Sequence, residues 1–360
     1  MSRQGGAAPP VGLIEGYYGR PWSWPDRVDT MVFLAAHGYA FHIYAPKADA
    51  YLRKRWREPH PTAEADALAA FAARCRAEGV AFGVGLSPFE LYRDFSREAK
   101  AALADKLSQL DAIGTRWLAI LFDDMRGDLP ALAASQVEIL HWIAARTRAE
   151  RLIVCPTYYS DDPALDRLFG ARPAGYLEDL GQALDPAIAV FWTGPEVCSR
   201  EILPGGLKRV AAALSRNPML WDNYPVNDGP RMSPFLHLRA FTGRPAANAA
   251  LISAHAVNPA LQPVLSRIPA LTLLESYAGG EAYDYRRAFE MAAAQVLGAE
   301  LAGQMAPRLS SFQDVGLDGL GESAARLRTR FAAFDHPGAA EIVAWLDGAW
   351  RAAQAGIVGA

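Results

Sequence analysis

Short apolar runs alternate with longer helical patterns from residue 11 to about residue 258, and this alternation limits the possible folds sharply. Strands that alternate with helices form βα units and therefore a parallel sheet. The predicted strands are Gly12–Gly16, Phe41–Tyr44, Ala81–Leu86, Trp117–Phe122, Leu152–Cys155, Ala189–Trp192, Met219–Trp221 and Ala250–Ala254. The predicted helices between them include Asp26–His37, Ala63–Glu78, Glu98–Ala112, Leu132–Ala149 and Leu207–Ser215.

Eight strands over about 250 residues favour a closed (β/α)8 barrel, the TIM barrel. The alternative is an open, doubly wound sheet, which normally has a glycine-rich phosphate loop after its first strand. Here the first strand leads into the aromatic segment Glu15–Trp22, which has no phosphate-loop spacing. We therefore predict an α/β chain with a TIM barrel over residues 11–262.

The strand pattern ends after about residue 265. Helical periodicity in Ala282–Leu301, Gly321–Ala333 and Gly338–Ala355 predicts a helical C-terminal region over residues 263–360. Residues 1–10 are predicted to be flexible and lack the apolar core of a secretory signal. No apolar run is long enough to span a bilayer. We expect a cytoplasmic protein without membrane association.

Charge and cysteine content argue against several classes of function. The formal net charge of -3 gives no electrostatic reason to expect nucleic-acid binding. Cys75, Cys155 and Cys198 have neither metal-ligand nor redox spacing, so we predict buried free thiols. No His/Cys cluster has metal-site spacing and no loop has the pattern of a phosphate site, so we predict no metal and no cofactor.

Two adjacent carboxylates, Asp123 and Asp124, follow the apolar run Trp117–Phe122. Parallel α/β enzymes place their chemistry at the carboxyl ends of such strands. Neighbouring acids repel each other and tend to titrate apart, with one ionised and one protonated near neutral pH. Glycoside hydrolysis requires this division of labour. The pair could instead be a helix N-cap or a structural ion pair.

Polar and aromatic residues follow the other predicted strands as well. They are Gly16-Tyr17, Tyr44-Ala45-Pro46-Lys47, Ser87-Pro88, Pro156-Thr157-Tyr158-Tyr159, Trp192-Thr193-Gly194-Pro195, Asp222-Asn223 with Asn227-Asp228, and Asn258-Pro259. In a barrel, the loops that carry them all open on the catalytic face. Aromatic rings give a sugar an apolar stacking surface, and Asn and Asp bind its hydroxyls. The sequence therefore predicts a carbohydrate site.

Six of these segments, in order, carry a resemblance to a known family. They are Glu15-Gly16-Tyr17-Tyr18-Gly19-Arg20-Pro21-Trp22, Tyr44-Ala45-Pro46-Lys47, Phe122-Asp123-Asp124, Cys155-Pro156-Thr157, Trp192-Thr193-Gly194-Pro195 and Trp221-Asp222-Asn223. Over residues 11 to 260 the chain resembles glycoside hydrolase family 84, the O-GlcNAcase and bacterial β-N-acetylglucosaminidase family. The resemblance implies retaining hydrolysis in which the 2-acetamido oxygen of the substrate is the nucleophile, an exception to the two-carboxylate scheme.

The resemblance also implies roles for individual residues. Asp123 matches the carboxylate that orients the acetamido group, and Asp124 matches the general acid. Tyr159 matches the tyrosine that contacts the forming oxazoline, and Asn223 matches an amide near the acetamido group and the acid. Trp221 matches part of the wall around the N-acetyl methyl.

A further set of residues matches family positions that bind the hydroxyls of the sugar. This set comprises Gly16, Lys47, Asp228 and Asn258. The implied substrate carries terminal β-linked GlcNAc on a glycoprotein, a cell-wall fragment or a chitin-like oligomer. A homodimer is one hypothesis for the assembly, and the helical C-terminal region could close the cleft of its own subunit or of a partner.

Other functions are compatible with the same residues. A catalytically silent GlcNAc-binding barrel would retain the pocket without turnover. Lys47 could instead form a Schiff base, as in barrel aldolases. The basic run Arg53–Arg57 is predicted to be a solvated loop over the barrel mouth rather than a nucleic-acid stripe.

Overall fold

A computed structural model of the protein describes residues 8–352. Most of the N-terminal segment predicted to be flexible, and the last three residues of the predicted helix Gly338–Ala355, lie outside the described residues.

Eight parallel strands form a closed barrel in which β8 pairs with β1. The strands are β1 (Val11–Ile14), β2 (Phe41–Tyr44), β3 (Ala81–Leu86), β4 (Trp117–Leu121), β5 (Arg151–Cys155), β6 (Ala189–Trp192), β7 (Met219–Asp222) and β8 (Ala254–Val257). Helices cover the outer faces, so the strands are buried on both sides and have near-continuous apolar sequences. The predicted (β/α)8 barrel is confirmed.

Helices alternate with the strands as predicted. Those in the barrel region are α1 (Trp24–Ala35), α2 (Thr62–Ala77), α3 (Arg97–Ile113), α4 (Leu132–Ala144), α5 (Ala164–Phe169), α6 (Tyr176–Ala183), α7 (Pro204–Leu214), α8 (Gly229–Met232) and α9 (Pro263–Gly279). Their ends follow standard capping chemistry. At the start of α3, Ser96 Oγ accepts a hydrogen bond from Ala99 N at 3.3 Å. At its end, Gly114 adopts a left-handed φ of 95°.

The eighth strand lies four residues later than predicted. The sequence predicted Ala250–Ala254, whereas β8 is Ala254–Val257 and residues Ala246–Leu251 form a 3₁₀-helix. His255 interrupts the apolar pattern of β8, but its ring is buried and contacts Asp222 Oδ2 at 3.1 Å. The polar residue in the strand thus has a buried partner that the sequence alone does not reveal.

The C-terminal region is helical as far as it is described. It comprises α10 (Tyr285–Leu297), α11 (Ala299–Met305), α12 (Gly316–Gly319), α13 (Ser323–Phe331) and α14 (Pro337–Leu346). A separate apolar cluster joins these helices to α9 and the 236–240 segment. Glu341 of α14 accepts hydrogen bonds from the backbone N–H groups of Val264 and Leu265, both at 2.9 Å. It therefore satisfies two donors in the first turn of α9.

None of the helices in the described part of the chain is both long enough and apolar enough to cross a lipid bilayer.

Candidate active site

The loops at the carboxyl ends of the strands enclose a cavity of about 640 Å³. All nine residues that the sequence predicted for the site line it: Gly16, Lys47, Asp123, Asp124, Tyr159, Trp221, Asn223, Asp228 and Asn258. Segments far apart in the chain therefore meet at one place because the parallel strands end on the same face of the barrel.

Asp123 lies at the base of the cavity, two residues after the end of β4, and is only 5% exposed. Its Oδ2 accepts a hydrogen bond from the ammonium of Lys47, which is also buried. Its Oδ1 is buried and has no hydrogen-bond partner among residues 8–352. A buried carboxylate oxygen without a donor is costly, so Asp123 is prepared to accept a donor from a ligand.

Asp124 lies beside it and faces the cavity, with a side chain that is 23% exposed. Its backbone has a positive φ of 56°, which Asp tolerates better than bulkier residues do. The Tyr18 hydroxyl donates a hydrogen bond to Asp124 Oδ2, and Lys47 Nζ lies 3.7 Å from the same oxygen. Lys47 therefore approaches both carboxylates, while only Asp124 is open to a leaving group.

The charges of the site act on one another. Burial raises the pKa of Asp123, and the ammonium of Lys47 opposes this rise while the charge of Asp124 adds to it. The predicted coupling of the two carboxylates thus has a structural basis.

Lys47 is held in its charged form. Burial alone would lower its pKa, but the carboxylates of Asp123 and Asp124 outweigh burial, and the pKa of Lys47 is raised. A Schiff-base lysine requires a neutral amine, so the environment of Lys47 does not favour the aldolase alternative.

A series of hydrogen bonds between amide groups connects the segments that follow β1, β7 and β8. Gly16 N donates to Asn258 Oδ1 at 3.1 Å, and Asn258 Nδ2 donates to Asn223 Oδ1 at 2.9 Å. The same oxygen of Asn223 accepts the indole N–H of Trp221 at 2.9 Å, and Asn223 Nδ2 donates to the carbonyl of Val197 at 2.8 Å. These bonds fix the wall of the cavity between β1, β7 and β8.

Gly16 and Trp221 meet in van der Waals contact. A Cβ atom built on Gly16 would lie 2.0 Å from Cζ2 of Trp221, which is closer than any real contact. Glycine is therefore required at position 16 for the indole to occupy this place.

Tyr158 and Tyr159 have opposite surroundings. Tyr158 is buried, and its hydroxyl donates to the carbonyl of Gly170 at 2.6 Å. Tyr159 lines the cavity, and burial together with the charge of Asp124 raises its pKa well above the ordinary value. Its phenol therefore stays protonated and remains a hydrogen-bond donor at neutral pH.

Asp228 also lines the cavity, and its Oδ2 accepts a hydrogen bond from the backbone N–H of Tyr18 at 2.6 Å. Burial raises its pKa to about 6, and the charge of Asp124 contributes in the same direction. Both Asp124 and Asp228 are therefore connected to Tyr18, one through the hydroxyl and one through the backbone.

Several residues of the cavity were not predicted from the sequence, among them Tyr18, Arg53 and Cys198. Tyr17 and Tyr18 are adjacent, and only the structure shows that Tyr17 is in the core while Tyr18 contacts the acids. The prediction that all three cysteines are buried is wrong for Cys198, which lies in the turn after β6 and is exposed.

The predicted solvated loop at the barrel mouth also needs correction. Lys54, Arg55 and Arg57 are exposed, as expected, but Trp56 is buried and Arg53 lines the cavity. The buried indole anchors the loop, and this anchoring brings Arg53 to the cavity.

Two further acids near the strand ends are paired within the fold. Glu15 accepts two hydrogen bonds from Arg27, at 2.6 and 2.9 Å, and one from the hydroxyl of Tyr17 at 2.7 Å. Asp222 accepts two from Arg244, at 2.8 and 2.7 Å. Neither acid lines the cavity.

Among the described residues, no group of three His, Cys, Asp or Glu side chains is arranged to hold a metal ion.

Comparisons with known proteins agree with the geometry. The mouse (Mus musculus) and rat (Rattus norvegicus) proteins named Protein O-GlcNAcase are each 32% identical to this chain, over 235 and 238 residues. Each match covers 62% of this chain and 25% of the relative, so the chain spans about a quarter of the length of these curated relatives.

A solved structure of a mutant O-GlcNAc hydrolase from Thermobaculum terrenum superposes with a TM-score of 0.79 at 29% identity. The superposition covers 94% of this chain and 80% of that one. The family model described as beta-N-acetylglucosaminidase matches residues 11–312, which is most of the chain. The chain therefore belongs to the beta-N-acetylglucosaminidase family, glycoside hydrolase family 84.

Proposed function

We propose that the protein is a retaining exo-β-N-acetylglucosaminidase that removes terminal β-linked GlcNAc with assistance from the 2-acetamido group of the substrate. The observation that carries the proposal is the pair Asp123 and Asp124 at the base of a closed pocket, with Lys47 between them. Family membership and the position of all nine predicted residues around one cavity support it.

In this mechanism Asp123 orients the nucleophile. Its Oδ1 has no partner within the described chain and can accept the acetamido N–H, which turns the amide oxygen toward the anomeric carbon. Lys47 holds the other oxygen and favours the ionised form of Asp123 as the amide nitrogen becomes positive. The protonated hydroxyl of Tyr159 can donate to the acetamido oxygen and stabilise the forming oxazoline ring.

Asp124 is the proposed general acid and base. As the acetamido oxygen bonds to the anomeric carbon, the glycosidic bond breaks and Asp124 gives its proton to the leaving oxygen. In the second step Asp124 removes a proton from water, which attacks the anomeric carbon and reopens the oxazoline with net retention. Tyr18 and Lys47 hold the carboxyl of Asp124 in place for both transfers.

The remaining predicted residues are proposed to bind the sugar. The amides of Asn223 and Asn258, the carboxyl of Asp228 and the backbone at Gly16 provide hydrogen bonds, and Trp221 provides an apolar wall. Because Asn223 already bonds to the carbonyl of Val197, only its second amide hydrogen remains for the substrate.

The decisive experiment is steady-state hydrolysis of an aryl β-N-acetylglucosaminide, with the corresponding aryl β-glucoside as the control substrate. The glucoside lacks the acetamido oxygen, so nearly all turnover should disappear with it. Efficient hydrolysis of the glucoside would refute substrate assistance. A folded protein that binds GlcNAc but hydrolyses neither substrate would support the silent GlcNAc-binding barrel.

The substrate, the location and the partners of the protein are also proposals. We propose that the substrate is a GlcNAc-bearing glycoprotein or oligosaccharide, that the protein acts in the cytoplasm of a bacterium, and that it works without nucleic-acid or membrane partners. Homodimer formation stays a prediction, which size-exclusion chromatography with light scattering would test. The domain boundary after residue 262 also stays a prediction.

A further inference from the structure

Arg53 places a guanidinium at the cavity wall that the proposed mechanism does not use. Its Cζ lies 5.5 Å from the ring centre of Tyr18 and 5.9 Å from that of Phe89. Its Nε is buried and has no hydrogen-bond partner, and within residues 8–352 no carboxylate forms a salt bridge with it. A guanidinium held between two rings without an acceptor is an open site for an anion.

Three other arginines near the mouth differ from Arg53 because each has a carboxylate partner. The pairs are Arg55 with Glu58 at 2.8 Å, Arg93 with Glu90 at 2.7 Å, and Arg126 with Asp128 at 2.9 Å. The positive charge of these residues is already neutralised in the protein. Of the two arginines that line the cavity, Arg53 and Arg126, only Arg53 has no carboxylate partner among the described residues.

The charge of the inner cavity makes this arginine important for selectivity. Three carboxylates, Asp123, Asp124 and Asp228, line the cavity together with the single ammonium of Lys47. An anionic aglycone that approaches the glycosidic bond would therefore be repelled unless a cation meets it. Arg53 contacts the face of Tyr18, whose hydroxyl binds Asp124, so its charge lies near the proposed general acid.

We propose that Arg53 binds a carboxylate on the aglycone, and that preferred substrates are β-N-acetylglucosaminides whose leaving group is a carboxylated ring, such as a sugar acid. The planar guanidinium can donate two parallel hydrogen bonds to a carboxylate. The half-buried ring of Phe89 and the exposed side chain of Leu168 offer apolar surface to the ring that carries it. This inference rests on the proposed function.

The test uses two aryl β-N-acetylglucosaminides with matched leaving-group pKa, one bearing a carboxylate and one a carboxamide on the aryl ring. The ratio of their kcat/KM values is measured for the wild type, Arg53→Gln, Arg53→Lys and the control Arg57→Gln. Arg57 is exposed on the same loop and does not line the cavity. Arg53→Gln should lower the ratio about 10-fold, the effect of losing a hydrogen bond to a charged group.

The other variants sharpen the result. Arg53→Lys should keep part of the preference because the charge remains while the paired donors are lost, and Arg57→Gln should leave the ratio unchanged. The preference should weaken as salt is added. A second substrate pair, in which GlcNAc is linked to a sugar acid or to its neutral parent sugar, should show the same dependence on Arg53.

Two outcomes would overturn the inference. If kcat/KM falls equally for both substrates in Arg53→Gln, Arg53 supports the carboxylate pair or the loop. If kcat/KM changes for neither substrate, Arg53 binds no charge of the aglycone. Failure of the proposed function looks different, because the wild type would then hydrolyse neither the carboxylate nor the carboxamide substrate.

Discussion

Asp123 and Asp222 both lie near the carboxyl ends of barrel strands and both are buried beside a cation, yet their surroundings differ. Asp222 accepts two hydrogen bonds from Arg244 and contacts His255, so both of its oxygens have partners. Burial raises its pKa, but Arg244 and His255 outweigh burial and lower it to about 2. Asp123 has one donor, an oxygen without a partner in the described chain, and a raised pKa.

This contrast separates an acid that serves the fold from one that serves the chemistry. A carboxylate that is fully paired by Arg and His has no capacity left for a ligand. A carboxylate left partly unsatisfied within an otherwise well-packed barrel carries a free-energy cost that a ligand can remove. The same substitution, Asp to Asn, can therefore be compared at the two positions. At Asp123 it should reduce activity more than stability, and at Asp222 it should reduce stability.

The largest expected effect is on catalysis. Asp124→Asn should lower kcat/KM by about 10² to 10⁴ for substrates with poor leaving groups, because the proton donor is lost. It should spare substrates with very good leaving groups, whereas Asp123→Asn should impair all of them because the nucleophile is no longer oriented. Asn tolerates the positive φ at position 124, so the backbone should persist. Equal losses across leaving groups in Asp124→Asn would contradict the assignment.

The second prediction concerns the free energy of unfolding. Asp222→Asn should cost about 3–5 kcal/mol, because it leaves the buried Arg244 without its charge partner. Asp123→Asn should change stability by less than about 1 kcal/mol, since Asp124 remains 3.7 Å from Lys47 and the like-charge repulsion disappears. Urea denaturation of both variants measures the difference. Similar losses would remove the distinction between the two acids.

The third prediction follows from the lowered pKa of Asp222. Its stabilising contribution should be complete above its unfolded-state pKa near 4 and should be lost as the pH falls toward 2. The contribution at neutral pH that depends on this pKa shift is about 2 kcal/mol. Denaturation of the wild type and Asp222→Asn between pH 2 and pH 6 should therefore show a stability difference that shrinks across this window. A difference independent of pH would mean that Asp222 has the same pKa in the folded and the unfolded protein.

The smallest expected effect tests packing rather than charge. Gly16→Ala should destabilise the protein by about 1–3 kcal/mol and raise KM, because the new methyl would displace the indole of Trp221. The matched control is Gly205→Ala in the first turn of α7, where nothing lies within 4 Å of the new Cβ. The control should be neutral or slightly stabilising. Equal behaviour of the two variants would show that Trp221 moves without cost.

The sequence predicted the barrel and the place of the acids because both depend on local pattern. The apolar run before Asp123 ends where β4 ends, and the position of a carboxylate after a buried strand is visible without coordinates. Helix α9 lies within residues 263–360, which were predicted to be helical, but its bounds were not predicted. Pro263 begins it and Pro269 lies inside it, and proline disfavours a helix interior.

Features that depend on contacts between residues far apart in the sequence could not be predicted. The left-handed backbone at Asp124 depends on the surrounding contacts, and no residue nearby in sequence encodes it. Arg53 reaches the cavity because Trp56 is buried, and a basic run alone does not indicate which of its members turns inward.

The contact of Glu341 with α9 has a practical consequence for anyone who trims this protein. The family match ends at residue 312, so a shortened protein designed from that match would lack α12, α13 and α14. It would leave the N–H groups of Val264 and Leu265 without their carboxylate acceptor, six and seven residues after Asn258 in the sugar pocket. A shortened protein that keeps these two hydrogen bonds therefore has to extend into α14, beyond the matched residues 11–312.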